Sequence, residues 1–412
     1  MSSVLPSYAE AAAIVGAHAA ELVRQPTSER VGLEHAAGRV LAASLRTDRD
    51  QPPFPRSTRD GFACRAEEAN THKALKVAGS IHAGQPPAGP LPPEAAWEIM
   101  TGAAVPEGAD AVAMIEHVER TFDAIRLLRP RALESRENIV PQGAEARAGE
   151  EVLAAGTRLG PQQIAQAATS GHATVEVFRR PRVAILTTGD ELVPVASTPE
   201  PGQIRNSNGV MLASLVAQAG GEPWVLPTAA DNERALDGGL REAASADMLL
   251  ISGGVSAGKF DLVEPALARL GAKFHFTGVR IQPGKPLVFG EVGNPKEKKK
   301  FFGLPGNPIS SAATFLLFGS RILGALAGDA HAGPRFALAQ LAKDVKGKPD
   351  LTRFVPSFCN FDPSWGEFPE VKAVPSQGSG DLASFSRSNC FLVVPEGMDR
   401  LKAGSTVRIL LI

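Results

Sequence analysis

Cysteine is scarce in this chain: 412 residues hold three, Cys64, Cys359 and Cys390, far apart and without a C-x-x-C pair. An odd, scattered set excludes a disulfide framework and points to a reducing, cytoplasmic setting. Excess charge is lacking too. Lys and Arg total 43 against 44 Asp and Glu, a net charge of −1, so no global basic field marks a nucleic-acid binder. The densest basic cluster, Lys296-Glu297-Lys298-Lys299-Lys300, reads as a solvated hairpin tip before Phe301-Phe302. No unbroken run of eighteen apolar residues occurs, and the N-terminus shows no basic segment followed by an apolar one. Neither a membrane span nor a cleaved signal is expected. The eight histidines lack metal-ligand spacing, and both the G-x-S-x-G elbow and the Walker lysine loop are missing.

What the chain has is glycine in telling places. Thr187-Thr188-Gly189-Asp190-Glu191, Ser252-Gly253-Gly254-Val255-Ser256-Ala257-Gly258-Lys259-Phe260-Asp261 and Gly303-Leu304-Pro305-Gly306-Asn307-Pro308 each follow a short apolar run. Pro283-Gly284-Lys285-Pro286 sits between the strand-like runs 279–281 and 287–289. Between residues 181 and 330, strand-like and helix-like runs alternate: 183–186 with 210–219, 224–226 with 233–244, 248–251 with 262–270, and 301–304 with 309–326. This predicts βαβ units and a largely parallel sheet covered on both faces. Ligands of such sheets bind beyond the carboxyl ends of the strands, where glycine lets backbone N–H groups approach an anion. The loops therefore predict a pocket for an anionic, phosphorylated ligand.

Length favours about three domains. Ser7 and Glu10 form a capping box ahead of Ile14, Val15, His18, Leu22 and Val23 at helical spacing, predicting a helix over 8–24. Short runs punctuated by Pro and Gly between 51 and 140 predict a β-rich insertion, and the same pattern after 331 predicts a C-terminal β-domain. Residues 1–50 and 141–180 then flank the insertion.

Asp190, Glu191, Asp231 and Asp261 follow strands at one level, and hard oxygens from separate strand ends suit Mg²⁺ shared with substrate phosphates. Alternatively they cap helices or complement helix dipoles. Lys285 on its turn is either a fixed cation or simply exposed. Asn307 and Ser310 either belong to an anion site or cap the helix that they open. Asp60-Gly61 reads by itself as an ordinary turn.

In order along nearly the whole chain stand Pro52-Pro53-Phe54 with Asp60-Gly61-Phe62-Ala63, Thr101-Gly102-Ala103, Thr188-Gly189-Asp190-Glu191-Leu192, Ser252-Gly253-Gly254-Val255-Ser256, Pro283-Gly284-Lys285-Pro286 and Gly303-Leu304-Pro305-Gly306-Asn307-Pro308. Together they resemble the molybdopterin molybdenumtransferase family, which includes bacterial MoeA and the E domain of gephyrin. The resemblance implies an elongated N-terminal linking and dimerisation domain (1–50 and 141–180), an inserted β-rich domain (51–140), an α/β molybdopterin-binding domain (181–330) and a C-terminal β-domain (331–412). It implies a homodimer whose composite site inserts molybdate into adenylylated molybdopterin, with Mg²⁺-dependent release of AMP. Asp60, Thr101, Glu191, Asp231, Asp261 and Lys285 would be catalytic, with Asp60, Glu191 and Asp261 on the metal. Gly189, Asp190, Ser252, Gly253, Gly254, Ser256, Gly284, Pro286, Pro305, Gly306, Asn307 and Ser379 would bind substrate. Gln377, Ser379, Ser384 and Arg387 resemble a strip lining the oxyanion end.

Three positions depart from the family pattern. Gln282 stands where a lysine is usual, Gly143-Ala144-Glu145 replaces Gly-Glu-Asp, and Arg56-Ser57-Thr58-Arg59 replaces Asn-Ser-Ala-Met. Arg56 or Arg59 is a candidate to restore the charge missing at Gln282. A related adenylylating pterin enzyme and a non-catalytic scaffold are the rival readings. The insertion and C-terminal domain disfavour the first, and the retained Asp60, Glu191, Asp261 and Lys285 disfavour the second.

Overall fold

The computed structural model describes residues 5–22, 27–254, 262–293, 298–362 and 368–412. A helix over Tyr8–Leu22 opens with the expected capping box: Ser7 N–H donates to Glu10 Oε2 at 2.7 Å, and Glu10 N–H donates to Ser7 Oγ at 3.2 Å. The side it buries is Ala11, Val15 and Ala19; of the predicted stripe, Val15 alone among the described residues is fully buried. Two alanines let this helix approach the core helix Ser320–Leu326 closely, while Ile14 and Leu22 pack at its margins.

Segments on either side of the insertion pair with each other. Strand Ser28–Gly32 lies antiparallel to Thr174–Phe178, and Leu45–Arg46 to Glu151–Leu153. The insertion itself is a six-stranded sheet, ordered 111–114, 61–64, 95–99, 75–81, 124–127 and 118–120. Its core includes Phe62, Cys64, Leu75, Ile125 and Leu127. Gly61 is required in this sheet, because a Cβ there would lie 2.0 Å from the Ala113 carbonyl oxygen of the neighbouring strand.

The α/β unit has a six-stranded sheet in the order 222–225, 182–187, 248–252, 299–304, 288–292, 273–277. The first four strands run parallel, 288–292 runs against them, and 273–277, antiparallel to 288–292, returns to their direction. Strand Arg182–Thr187 shows why both faces are covered: Val183 and Ile185 enter one core with Leu212 and Phe302, Ala184 and Leu186 the other with Leu236 and Leu267. Parallel register brings Thr187, Ser252 and Leu304 to one level at the carboxyl edge.

Residues 308–326 form the central core helix. Its length and mean hydropathy of 1.5 match a membrane-crossing helix, yet 78% of that stretch is buried within the protein. It is not one regular α-helix. Phe315–Gly319 is a π-turn between Pro308–Thr314 and Ser320–Leu326, and a Cβ on Gly319 would meet the Phe315 ring at 2.8 Å.

The C-terminal strands close on themselves. Thr352–Asn360 pairs with both Glu370–Ala373 and Cys390–Val394, and the circuit is completed through 336–341 and 406–411. Closure removes exposed sheet edges from the ring. Ile281–Gln282, next to the Pro-Gly-Lys-Pro turn, adds to this barrel as a parallel neighbour of Thr352–Asn360 instead of joining the α/β sheet. Cys64, Cys359 and Cys390 are free and buried, and burial pushes the Cys64 and Cys390 thiols up to about 12.

Candidate active site

The carboxyl edge of the parallel strands carries three loops pressed together. Gly253 and Gly254 have φ of 101° and 63°, and a Cβ on Gly253 would sit 2.6 Å from the Thr188 carbonyl oxygen. Gly306 neighbours this loop in ordinary van der Waals contact, the place of a Cβ on it lying 3.6 Å from Gly253 Cα. Asn208 ties the loops by donating from Nδ2 to Ser252 Oγ at 2.9 Å and to the Gly306 carbonyl at 2.6 Å. Among the described residues, Thr188 Oγ1 and Asn208 Oδ1 are buried there without a hydrogen-bond partner. Polar atoms of this kind suit a polar ligand, because leaving them unmatched is costly.

Beside this shelf, three carboxylates crowd together. A Cβ on Gly189 would lie 2.5 Å from Glu191 Oε2, so glycine gives the carboxylate room to fold back over the loop. Asp190 Oδ1 accepts from the Asp231 backbone N–H at 2.9 Å. The adjacent helix Glu233–Glu242 is capped by Asn232, which accepts from Ala235 N–H, so Asp231 is not its cap. Burial, and then the neighbouring charges of Asp190 and Glu191, raise the Asp231 carboxyl above the usual carboxylate range. Hard oxygens of this type are what Mg²⁺ takes, but among the described residues these three carboxylates do not bring their ligand atoms within 4.8 Å of one another.

Asp60 and Thr101 meet in the insertion. Asp60 Oδ1 accepts from Thr101 N–H at 2.6 Å and from its hydroxyl at 2.8 Å. The backbone bond, then the hydroxyl bond, hold the carboxyl below its ordinary range. The pair is exposed, and among the described residues it hydrogen-bonds to neither the carboxylates nor the shelf. Arg56 pairs with Glu145 at 2.6 Å. Two of the departures from the family pattern thus satisfy each other.

A cavity of about 440 Å³ opens between the α/β unit and the barrel. Gly284, Lys285, Pro286, Pro305 and Asn307 line one side, and Ser376, Gly378 and Ser379 the other. Gly284 has φ of 109°, and a Cβ on it would strike Thr314 Cγ2 at 2.5 Å. Asn307 makes no side-chain cap bond to its helix and remains available to the cavity. The Ile309 N–H donates to the Ser379 carbonyl at 3.1 Å, joining the two walls.

Comparison with known proteins decides what this arrangement belongs to. Residues 6–171 match the MoeA N-terminal region (domain I and II), 184–325 a probable molybdopterin binding domain, and 338–412 the MoeA C-terminal region (domain IV). The molybdopterin molybdenumtransferase of a Nostoc species is 35% identical, covering 98% of this chain and 94% of that protein. The enzyme of the same name from Haemophilus influenzae is 34% identical over 93% of each. The molybdopterin biosynthesis MoeA protein structure from Pyrococcus horikoshii superposes with a TM-score of 0.78, at 30% identity, covering 99% of this chain and 100% of that one. The chain belongs to the molybdopterin molybdenumtransferase family. It is a transferase of molybdenum cofactor biosynthesis.

Within this transferase the anticipated residues fall into separate groups. Gly189, Asp190, Glu191 and Asp231 make the acidic corner, Ser252, Gly253, Gly254 and Gly306 the shelf, and Gly284, Lys285, Pro286, Pro305, Asn307 and Ser379 the cavity. Ser256 and Asp261 lie outside the described residues. Of the C-terminal strip, Ser379 lines the cavity, whereas Gln377 and Arg387 do not. Ser384 is buried, its hydroxyl donating to the Pro375 carbonyl and to Asp381, the residue that caps its own short helix. It is a turn-forming residue.

Two cavity residues escaped the sequence reading. Ser376 precedes Ser379 in the same turn, and Arg353 stands in register with Gln282 across the parallel strands. Among the described residues Arg353 Nε and Gln282 Oε1 are both buried and unpartnered, while Arg353 Nη1 donates to the Lys346 carbonyl, and burial lowers the Arg353 guanidinium from its ordinary value. No local pattern announces Arg353, which reaches the cavity only because Ile281–Gln282 joins the barrel.

His18, His275 and Glu291 bring donor atoms within 4.8 Å of one another at the opposite, amino end of the sheet. Their cation is already present: Lys300 Nζ lies 2.6 Å from Glu291 Oε2 and 3.2 Å from His18 Nδ1, and Lys298 takes the other Glu291 oxygen at 2.7 Å. The cluster is an internal ion-pair network.

Proposed function

We propose that this transferase inserts molybdate into adenylylated molybdopterin with Mg²⁺-dependent release of AMP, in a composite site of a homodimer. The cavity supports this reading most strongly: its lining brings together Lys285 and Arg353, two cations suited to an oxyanion, and the hydroxyl-bearing Ser376 and Ser379. The glycine shelf of Gly253, Gly254 and Gly306 leaves backbone free for a flat pterin and its phosphate. Glu191, Asp231, Asp261 and Asp60 would hold Mg²⁺, which when bound neutralises phosphate charge at the anhydride. Thr101 keeps Asp60 ionised for that purpose. Lys285 and Arg353 position molybdate, while Asp190 fixes the loop bearing Asp231. The exposed, cation-free Asp60–Thr101 pair fits a half-site presented to a second subunit. Reduced, buried thiols agree with a cytoplasmic setting.

The test supplies adenylylated molybdopterin, Mg²⁺ and molybdate, and follows AMP release and cofactor formation. Release that requires Mg²⁺ and collapses in Asp60→Ala and Glu191→Ala is the expected result. Binding of the adenylylated pterin without any AMP release would overturn the reading in favour of a scaffold.

A further inference from the structure

Away from the active site, a cavity of about 240 Å³ lies where four parts of the chain meet. Tyr8, Ala12 and Val15 come from the first helix, Leu317 and Arg321 from the core helix, 331–334 from the connection into the barrel, and Phe336 and Arg408 from the barrel itself. No Asp or Glu lines it. The carboxylates nearest in sequence are engaged elsewhere, Glu10 with Ser7 and Asp329 with Arg158 and the His331 N–H. Among the described residues, neither Arg321 nor Arg408 has an ion-pair partner.

Both guanidiniums are held in place without a carboxylate. Arg408 stacks on the Phe336 ring, 3.6 Å from its centroid. Arg321 lies against two glycines: a Cβ on Gly16 would be 3.5 Å from its Nε, and one on Gly333 3.6 Å from its Nη1. Tyr8 packs edge-on to Phe318 and Phe354, which anchors its ring, and its hydroxyl feels the fields of both arginines. Two fixed cations and a phenol therefore converge over a floor of Val15, Leu317, Pro334 and Phe336.

We propose that this junction cavity is a binding site for a small organic anion, a carboxylate or phosphate monoester with an apolar body. The anionic head bridges Arg321 and Arg408, accepting charge-assisted hydrogen bonds from both. The apolar body rests on the Val15, Leu317 and Phe336 side chains. Such a ligand joins the core helix of the α/β unit to the barrel, the same two parts that wall the active-site cavity.

Calorimetric titration of the full-length protein with benzoate and with phenyl phosphate tests the assignment, with benzyl alcohol as the uncharged control. At least one of the anions binds at one site per chain, the alcohol does not, and the stronger anion identifies the head group. Arg321→Gln and Arg408→Gln each weaken binding at least about tenfold, the loss of one charge-assisted contact. Ala12→Met, which fills the cavity from the helix side and changes no charge, also abolishes binding, whereas Lys285→Ala leaves it intact. Circular dichroism confirms that the variants fold. Absence of binding by both anions, survival of binding in both arginine variants, or its loss in Lys285→Ala would each overturn the proposal.

Discussion

Gln282 and Arg353 face each other across paired parallel strands, both lining the cavity between the α/β unit and the barrel, and neither satisfies the other's buried polar atom. Arg353 Nη1 donates to the Lys346 carbonyl, which fixes the guanidinium, and Nε is the group left for an anion. Arg353→Ala should raise the molybdate concentration for half-maximal rate about tenfold or more, as expected on losing a charge-assisted hydrogen bond. Gln282→Lys should lower it by adding a second cation on the same wall. A steady-state molybdate titration reads both, and an unchanged half-saturation in Arg353→Ala would remove Arg353 from the oxyanion site.

The Asp60–Thr101 contact gives a pH signature. Thr101→Val keeps the backbone bond to Asp60 but deletes the hydroxyl bond, so the Asp60 carboxyl rises toward its ordinary value. Because the ionised form is the one required, activity should fall at a higher pH on the acid side than in the unaltered enzyme. The acid limb of the pH–rate profile measures this, and a limb that does not move would detach Asp60 from catalysis.

Subunit mixing tests the composite site directly. Asp60→Ala and Glu191→Ala homodimers should both be nearly inactive. If each site takes Asp60 from one chain and Glu191 from the other, a mixed dimer contains one intact site. Co-refolding or exchanging the two variants should then restore a substantial fraction of the rate, up to about a quarter for random pairing and independent sites. Absence of recovery alongside demonstrated subunit exchange would place both residues in one chain's site.

Crowding of Asp190, Glu191 and Asp231 predicts a cation effect visible without turnover. Millimolar Mg²⁺ should raise the melting temperature by about 2 °C or more, since a ligand bound only by the native state stabilises it by mass action. Glu191→Gln should reduce the shift. Equal shifts in both proteins, measured by calorimetry, would locate the Mg²⁺ effect elsewhere.

Acid sensitivity should arise at the far end of the sheet. Burial first, then His18 and nearby lysines, push the His275 imidazole down to about 4, although Glu291 opposes this. The unfolded chain therefore binds more protons than the native one between about pH 6.5 and 4, and stability falls as pH drops through that window. Glu291 adds a second loss further down: burial alone would raise its carboxyl, but Lys298 and Lys300 hold it at about 2. Its contribution is present above the ordinary carboxylate value and disappears as pH falls toward 2. His275→Phe should flatten the upper part of the denaturation profile, and chemical denaturation at pH 4.5 and 7 compares the two slopes.

Much of this was written locally in the chain. Ser7 and Glu10 announced their helix because a capping box acts over one turn, and Gly189 and Gly253 marked strand ends because a positive φ and close approach select glycine. What escaped was set by distant contacts. Ile281–Gln282 looked like part of the α/β unit until pairing gave it to the barrel, and Arg353 became a cavity residue by the same event. Ser384 resembled a ligand because a serine that ties a turn and one that meets an anion are the same residue type. The alanine edge of the first helix was hidden because a hydrophobicity pattern favours large side chains, whereas a close helix contact selects small ones.

The contact between Gly253 and Thr188 has an evolutionary side. With the Thr188 carbonyl oxygen only 2.6 Å from the place a methyl on Gly253 would occupy, the second loop cannot acquire a side chain there while the first keeps its position. Remodelling of the pterin shelf, by nature or by design, must change the two loops together, and diversity among substrates is more easily reached through the barrel wall, where serines and arginine can be exchanged without moving the sheet.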